Sequence, residues 1–331
     1  MDPAGPPPIT TTSQSGLAAS DGDRESICTE SPLAGTGDDR RYARRGRASR
    51  TGGTGCFERY CILTVPSADR ARPLSSPPKS PIKTLRQYWN DEGSRLRYVR
   101  DLFDRSAHDY DRVESILAFG TGKRYRRDAL RRAGLRPGMR VLDIATGTGL
   151  VAREAANLAG ERGMVIGLDP SAGMLGEARL ALPLPLVRAV GERLPFRDAS
   201  FDFISMGFAL RHVADLALLF GEMRRVLRPG GTACVLELTR PASPLAAAAI
   251  RTFMTRVVPA VSGGAERRAV ARRMMTFYWD TIDACVRPEA VMAALADAGF
   301  QSPRRVVALG LFSEYVATVP GRMPPDPIPT P

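Results

Sequence analysis

Apolar and polar residues follow one another along residues 140–238 in a pattern that predicts buried strands separated by amphipathic helices. Short apolar runs, each the length of a buried parallel strand, occur at residues 141–144, 164–168, 184–189, 201–204 and 232–238. Apolar residues at helical spacing predict the intervening helices, one of them with Ser171 as its N-cap. This alternation is typical of an α/β protein with a parallel, doubly wound sheet and right-handed crossovers.

The chain outside this pattern divides into an extension and two tails. Upstream of the first strand the apolar positions again fall at helical spacing, and Gly120-x-Gly122 interrupts them. We therefore predict a helical extension over residues 81–136. Residues 1–80 are rich in Pro, Gly, Ser, Thr and Arg without periodicity, and residues 320–331 are rich in proline. We predict a disordered amino-terminal tail and a separate carboxyl-terminal tail.

The composition limits the classes of protein to which the chain can belong. The 331 residues are 44% hydrophobic, enough for a sizeable core. Five cysteines without a C-x-x-C pair and only two histidines favour a reduced, cytoplasmic protein without a metal site. The start lacks the basic and apolar regions of a signal peptide, and no apolar run has the length of a transmembrane helix.

The net charge of +12 leaves two kinds of partner to consider. Residues 1–83 hold 12 basic and 9 acidic residues, so most of the excess lies in the remainder of the chain. A basic surface can bind nucleic acid or an anionic membrane, or it can be merely solvated. No recognised RNA- or DNA-binding module is present, so we expect no nucleic acid partner.

The stretch Asp143-x-Ala145-x-Gly147-x-Gly149 joins the first strand to the helix that follows. Its glycines lack a Cβ atom and allow a tight turn close to a ligand. Asp169 follows the second strand, where an acid can accept hydrogen bonds from both ribose hydroxyls of an adenosine. The turn also fits a dinucleotide fingerprint, so NAD and S-adenosylmethionine are both candidates. The Asp143 carboxylate favours S-adenosylmethionine, because that cofactor carries an ammonium and a sulfonium in place of a pyrophosphate.

Several motifs resemble those of S-adenosylmethionine-dependent methyltransferases of the seven-stranded fold. They are the glycine turn, Asp169, LPF at 194–196 with FD at 201–202, and LRPGG at 227–231. Three stretches resemble one branch, the ubiquinone/menaquinone biosynthesis C-methyltransferase family: FDRSAHDYD at 103–111, FALRHV at 208–213 and LELTRP at 236–241. The resemblance implies a Rossmann-like, seven-stranded, mostly parallel sheet, the class I methyltransferase fold, over residues 137–319. The helical extension would then cover the cofactor edge as a lid.

The resemblance also implies a binding site for S-adenosylmethionine. Thr148 and Asp169 would contact the cofactor above the glycines, and Gly191 would lie beside the adenine. This chain departs from the family at Val190, where a polar or acidic residue is usual, and at Gly207, where serine is frequent. The predicted set is Asp143, Ala145, Gly147, Thr148, Gly149, Asp169, Val190, Gly191 and Gly207.

The resemblance implies C-methylation of a lipophilic quinol, a reaction that benefits from loss of the hydroxyl proton. We expect Arg211 to stabilise the phenolate and His212, which stands where the family has asparagine, to accept the proton. Tyr110, Tyr278 and Trp279 are candidate walls for a flat aromatic acceptor. The alternatives are a packing or capping role for His212, a surface ion pair for Arg211 and core packing for the three aromatic residues.

A different acceptor stays open as the alternative function. Residues 275–284 depart from the family pattern in a region that usually shapes the acceptor pocket. O- or N-methylation of another small aromatic or polyketide-like metabolite would fit the same cofactor site.

Overall fold

The computed structural model describes residues 62–64, 85–308 and 310–321. Their strands form one sheet in the order β1-β4-β3-β2-β5-β6-β8-β7. Neighbouring strands are parallel except for the pairs β6–β8 and β7–β8. The strands are β1 Ile62–Thr64, β2 Arg140–Ile144, β3 Met164–Leu168, β4 Leu186–Arg188, β5 Phe201–Gly207, β6 Leu227–Leu238, β7 Gln301–Ala308 and β8 Phe312–Thr318.

Helices connect and flank these strands. They are α1 Glu92–Leu117, α2 Gly122–Arg132, α3 Leu150–Ala159, α4 Ala172–Ala181, α5 Leu216–Val226, α6 Pro244–Thr252, α7 Val258–Val261, α8 Ala265–Ala284 and α9 Pro288–Asp297. A 3-10 turn covers Leu210–His212, and a π-helical turn at Phe253–Val257 joins α6 to α7. Strands β2 to β8 form the predicted Rossmann-like, mostly parallel sheet of seven strands, which is confirmed; β1 adds a short parallel strand beside β4.

The topology places a binding edge near the centre of the sheet. The chain runs from β2 outward through β3 to β4 and then returns to place β5 on the other side of β2. Ligands of doubly wound sheets bind outside the carboxyl ends of the strands at such a change of direction. Both central strands are well buried, with Leu142, Phe203 and Ile204 fully inaccessible. The loops after β2, β3 and β5 therefore meet above a rigid platform.

Helix α1 ties the extension to this edge. Its N-terminus is a capping box, in which the side chains of Asp91 and Ser94 each accept a hydrogen bond from the other's backbone N–H. The helix packs against α4 and α8. Tyr88, Trp89 and Phe277 belong to one aromatic cluster that joins the chain before α1 to α8. The predicted helical extension is thus one long helix followed by α2.

The short-range predictions from the sequence correspond closely to these elements. The strand predicted at 164–168 and the N-cap at Ser171 are confirmed. The strand predicted at 184–189 is shorter and covers Leu186–Arg188. The predicted tails at 1–80 and 320–331 lie outside the described residues, apart from Ile62–Thr64 and residues 320–321.

Candidate active site

The turn between β2 and α3 bends the backbone sharply at the carboxyl edge. Ala145, Gly147 and Gly149 all have left-handed φ angles, of 53°, 57° and 88°. Glycine adopts this conformation without steric penalty, whereas alanine does so at some cost. The backbone N–H of Thr146 donates to the carbonyl of Leu168 at 3.0 Å, which fixes the turn to the end of β3.

Asp169 connects the turn to the next helix. One oxygen of its carboxylate accepts a hydrogen bond from the backbone N–H of Gly147 at 2.9 Å, and the other accepts one from the backbone N–H of Ser171 at 2.8 Å. Each oxygen keeps a second lone pair for a ligand hydroxyl. Burial raises the pKa of Asp169 to about 6, against the lowering effect of the two backbone bonds.

Asp143 lies behind the pocket wall. Its carboxylate is fully buried and accepts hydrogen bonds from the hydroxyls of Thr146 at 2.7 Å and Ser205 at 2.6 Å. Burial raises its pKa to about 6. Asp143 therefore holds the glycine turn against β5, and it does not line the pocket.

A pocket of about 780 Å³ lies above this turn. Six of the nine predicted cofactor residues line it: Ala145, Gly147, Asp169, Val190, Gly191 and Gly207. Asp143, Thr148 and Gly149 are not among the lining residues. Val190 presents an apolar side chain that is 40% exposed.

At two glycines in or beside this pocket, a larger residue would overlap with neighbouring side chains. A Cβ atom on Gly191 would lie 2.8 Å from a methyl of Leu219 and 3.0 Å from one of Ile144, both core residues. A Cβ atom on Gly207 would lie 2.6 Å from a methyl of Val151. The serine that is frequent in the family at this position would therefore overlap with the side chain of Val151.

Helix α1 forms the side of the pocket opposite the sheet. Leu96, Phe103 and Tyr110 line it. Asp104 accepts hydrogen bonds from the Ser171 hydroxyl at 2.5 Å and the Gly173 backbone at 2.9 Å.

Another hydrogen bond fastens the same helix about two turns farther along. Asp111 accepts a hydrogen bond from the Thr148 hydroxyl at 2.5 Å. Thr148 therefore secures α1 to the glycine turn and is not among the residues that line the pocket. Helix α1 is thus bonded to the loops after β2 and β3.

The pocket residues fit S-adenosylmethionine. Asp169 offers two acceptor oxygens for a ribose diol. Apolar side chains of Leu168, Met174 and Leu219 line the pocket and suit a flat base. The ammonium and sulfonium of this cofactor suit a pocket whose charged lining residues, within the described part of the chain, are the carboxylates of Asp169 and Glu192.

A larger apolar cavity adjoins the pocket. It measures about 1040 Å³, and we refer to it as the apolar cavity. Tyr110 and Phe208 line both spaces, so the two meet at these side chains. The remaining walls are mostly aliphatic and aromatic: Leu117, Phe119, Leu238, Ile250, Phe253, Met254, Tyr278, Leu311 and Phe312. An apolar, flat acceptor can therefore lie next to the cofactor pocket.

His212 lines the cofactor pocket from the turn after β5. Its ring stacks on Phe277 at 5.4 Å between centroids and meets Phe103 edge-on. Neither ring nitrogen has a hydrogen-bond partner among the described residues, and both are inaccessible. Burial, with the charges of Arg211 and Arg95, holds the pKa of His212 well below its usual range. The imidazole is therefore neutral at physiological pH.

Arg211 is buried and does not line either space. Its Nη1 donates to the Glu237 carboxylate at 2.5 Å, its Nε donates to the Thr281 hydroxyl at 3.1 Å, and its guanidinium lies 4.8 Å from the centre of the Tyr278 ring. Nη2 has no partner among the described residues. The surface ion pair considered from the sequence is in fact a buried one.

The three predicted acceptor walls have different positions. Tyr110 lies where the two spaces meet, and Tyr278 lines the apolar cavity. Trp279 is 5% exposed within the core cluster around Trp89, and it lines neither space. Trp279 therefore packs in the hydrophobic core and is not a wall of the acceptor site.

Phe208 is one of the lining residues that the sequence analysis did not predict as part of the site, although it begins the motif FALRHV. It lies at the junction of the two spaces and has a left-handed φ of 60°. Such backbone strain in a bulky residue is concentrated at functional sites. Glu114 and Arg126 were also missed, because nothing in the sequence shows that α1 and α2 bring them to one wall.

Fold and site together define a class: a Rossmann-like domain with the glycine turn, terminal acid and edge pocket of class I methyltransferases. The profile of the ubiE/COQ5 methyltransferase family matches residues 91–308. The chain belongs to this family, and its cofactor is S-adenosylmethionine.

Two relatives of known sequence agree with this assignment. The chain is 42% identical over 162 residues to the ubiquinone/menaquinone biosynthesis C-methyltransferase UbiE of Bordetella avium, covering 47% of this chain and 63% of that one. It is 32% identical over 235 residues to the demethylmenaquinone methyltransferase of Symbiobacterium thermophilum, covering 67% and 92%. A crystal structure of an S-adenosylmethionine-dependent methyltransferase from Aquifex aeolicus is 20% identical, with a TM-score of 0.45 and coverage of 59% and 89%.

Two negative observations apply to the described residues. No helix among them is both long and apolar enough to cross a membrane. No group of three or more His, Cys, Asp or Glu side chains in the same part of the chain could hold a metal ion.

Proposed function

We propose that this protein transfers a methyl group from S-adenosylmethionine to a ring carbon of a lipophilic quinol. The observation that carries this proposal is the apolar cavity, which shares Tyr110 and Phe208 with the cofactor pocket. Its aliphatic and aromatic walls suit a flat ring with an apolar substituent. The name of the Symbiobacterium relative, a demethylmenaquinone methyltransferase, supports an acceptor of this class.

The cofactor supplies an electrophilic methyl group when it is bound. The protein then needs to orient the acceptor, exclude water and remove a hydroxyl proton. Tyr110 and Phe208 lie where the acceptor ring would meet the cofactor pocket. His212 lines that pocket, and its two ring nitrogens are unpartnered among the described residues, so we assign it the role of proton acceptor.

Arg211 has a supporting position in this proposal. Glu237 holds its guanidinium, and the backbone N–H of Arg211 also donates to the Glu237 carboxylate at 3.1 Å. The pair therefore fixes the turn that carries His212. The Arg211 Nη2 has no partner among the described residues, but the side chain lines neither space, so the contact with a phenolate that the sequence suggested is not part of this proposal.

A substrate comparison tests the reaction. Purified protein is supplied with S-adenosylmethionine and either a short-chain prenylated naphthoquinol, kept reduced, or a water-soluble catechol. We expect turnover of the quinol and a methylated product detected by mass spectrometry. Turnover of the catechol alone would assign the protein to O-methylation of small aromatics.

We further propose that helix 244–261 lies on an anionic membrane surface. Its outward residues Leu245, Val257 and Val261 are 84%, 44% and 56% exposed. Residues 241–265 contain no acidic residue, and their only charges are Arg251 and Arg256. An apolar face with basic residues is the composition of an interfacial helix.

The same helix would give a lipophilic acceptor a short route from the membrane surface into the apolar cavity. Its inward residues Ile250, Phe253 and Met254 line the apolar cavity, and Phe119, which is 75% exposed, stacks on Phe253.

Arg251→Glu with Arg256→Glu should reduce sedimentation with vesicles that contain anionic lipid. Arg162→Glu, an exposed charge reversal before β3, is the matched control and should bind normally. Equal binding of both variants would refute the proposal.

A further inference from the structure

One ion pair interrupts the mostly apolar wall of the apolar cavity. Glu114 lies near the end of α1, Arg126 lies on α2, and both line the cavity. The Arg126 Nη2 donates to Glu114 Oε1 at 2.6 Å, and the side chains are only 4% and 19% exposed. A buried pair in an apolar wall is costly unless its other polar atoms are also satisfied.

One polar atom of this pair is not satisfied. The Nε of Arg126 is inaccessible and has no hydrogen-bond partner within the described residues. The guanidinium carbon lies 5.5 Å from the ring centre of Phe208, which lines both the cavity and the cofactor pocket. The unpartnered donor is therefore close to the place where the acceptor ring would lie.

Gly122 gives the pair its position. A Cβ atom on this residue would lie 2.6 Å from Arg126 Nη1 and 2.6 Å from Glu114 Oε1. The two charged groups thus sit directly on the backbone at the first residue of α2. Glycine at this position leaves the space that the pair occupies.

We propose that Glu114 and Arg126 form a subsite for a hydroxyl of the acceptor, separate from the hydroxyl next to the methylated carbon. This subsite rests on the proposed quinol methylation. The pair is neutral overall, so it does not supply a spare charge for a carboxylate. A hydroxyl can accept a hydrogen bond from the Arg126 Nε and donate one to the Glu114 carboxylate. The subsite therefore selects a quinol with two hydroxyls over a phenol with one.

The test compares two acceptors in matched variants. One acceptor is a short-chain prenylated naphthoquinol, and the other is the prenylated naphthol that lacks only the distal hydroxyl. The wild type should favour the quinol in kcat/KM, and Arg126→Met should reduce that preference by about 10- to 150-fold, the worth of a hydrogen bond to a charged group. The quinol KM should rise, while cofactor affinity stays unchanged. Arg124→Met, on the same helix with a side chain that is 90% exposed, should keep the wild-type preference.

Further variants keep the test decisive if Arg126→Met folds poorly. Arg126→Lys retains a charge for Glu114 but lacks Nε, and Glu114→Gln retains bulk while it removes the carboxylate. Each should lower the quinol preference in protein whose melting temperature and cofactor affinity are normal. An equal loss for both acceptors, or an unchanged preference in these variants, would overturn the subsite. A wild-type protein that methylates neither acceptor would instead overturn the proposed function.

Discussion

The replacement His212→Asn gives a direct test of the environment assigned to the candidate proton acceptor. Burial, with the charges of Arg211 and Arg95, lowers the pKa of His212 in the folded protein. Arg95 is 1% exposed and its Nη1 donates to the His212 carbonyl at 2.8 Å, so its charge is close and poorly screened. The unfolded chain has an ordinary histidine pKa of about 6.5.

The sign of the effect follows from proton uptake. Below about pH 6.5 the unfolded chain binds a proton at His212 and the folded protein does not, so acidification favours unfolding. One such group changes the free energy of unfolding by about 1.4 kcal/mol per pH unit. From about pH 6.5 to pH 5.0 the loss therefore reaches up to about 2 kcal/mol.

Two carboxylates act in the opposite direction in this range. Burial raises the folded-state pKa values of Asp143 and Asp169 from 3.8 to about 6, so their protonation on acidification favours the folded protein. Both groups are present in the wild type and in His212→Asn. Their effect therefore cancels in the difference between the two proteins.

Urea unfolding followed by circular dichroism measures that difference across pH. We expect the stability of the wild type relative to His212→Asn to be constant above about pH 7 and to fall by up to about 2 kcal/mol as the pH falls to about 5. A difference that does not change with pH would show that His212 titrates normally when folded. That result would remove the support for a neutral imidazole in the pocket.

Three further predictions concern the cofactor edge and the buried pair. Asp169→Ala should weaken S-adenosylmethionine binding in calorimetry, and wild-type affinity should fall as the pH drops through about 6, where the Asp169 carboxylate becomes protonated; binding that is unaffected by both changes would contradict the assigned contact. Arg211→Met should lower the free energy of unfolding by about 3–5 kcal/mol because it leaves the Glu237 charge buried and unpaired, and a loss below about 1 kcal/mol would contradict the buried pair. Gly207→Ser should destabilise the protein by about 1–3 kcal/mol through overlap with Val151, and Val151→Ala should restore stability in the double variant if that overlap is the cause.

The sequence predicted the features that depend on neighbours along the chain. The strand at Met164–Leu168 followed from its apolar run, and the helix after it followed from Ser171 as an N-cap. The glycine turn and the acid after β3 also keep a fixed spacing in sequence. Their meeting at one edge then follows from the parallel topology.

The features that the sequence missed depend on packing between distant segments. Asp143 bonds to Ser205, 62 residues away, so its spacing in the motif could not show that it turns from the pocket. Tyr278 and Trp279 are adjacent on α8, and the neighbours of that helix decide that one lines the cavity and the other lies in the core. The Glu114–Arg126 pair likewise arises only where two helices meet.

The position of the transferred methyl group on the product distinguishes methylation of carbon from methylation of oxygen. The reduced prenylated naphthoquinol is incubated with the purified protein and S-adenosylmethionine that carries a trideuterated methyl group. The product is then analysed by mass spectrometry and by deuterium NMR. We expect the label to be on a ring carbon of the quinol. Label on an oxygen, or no labelled product from protein that binds the cofactor, would contradict it.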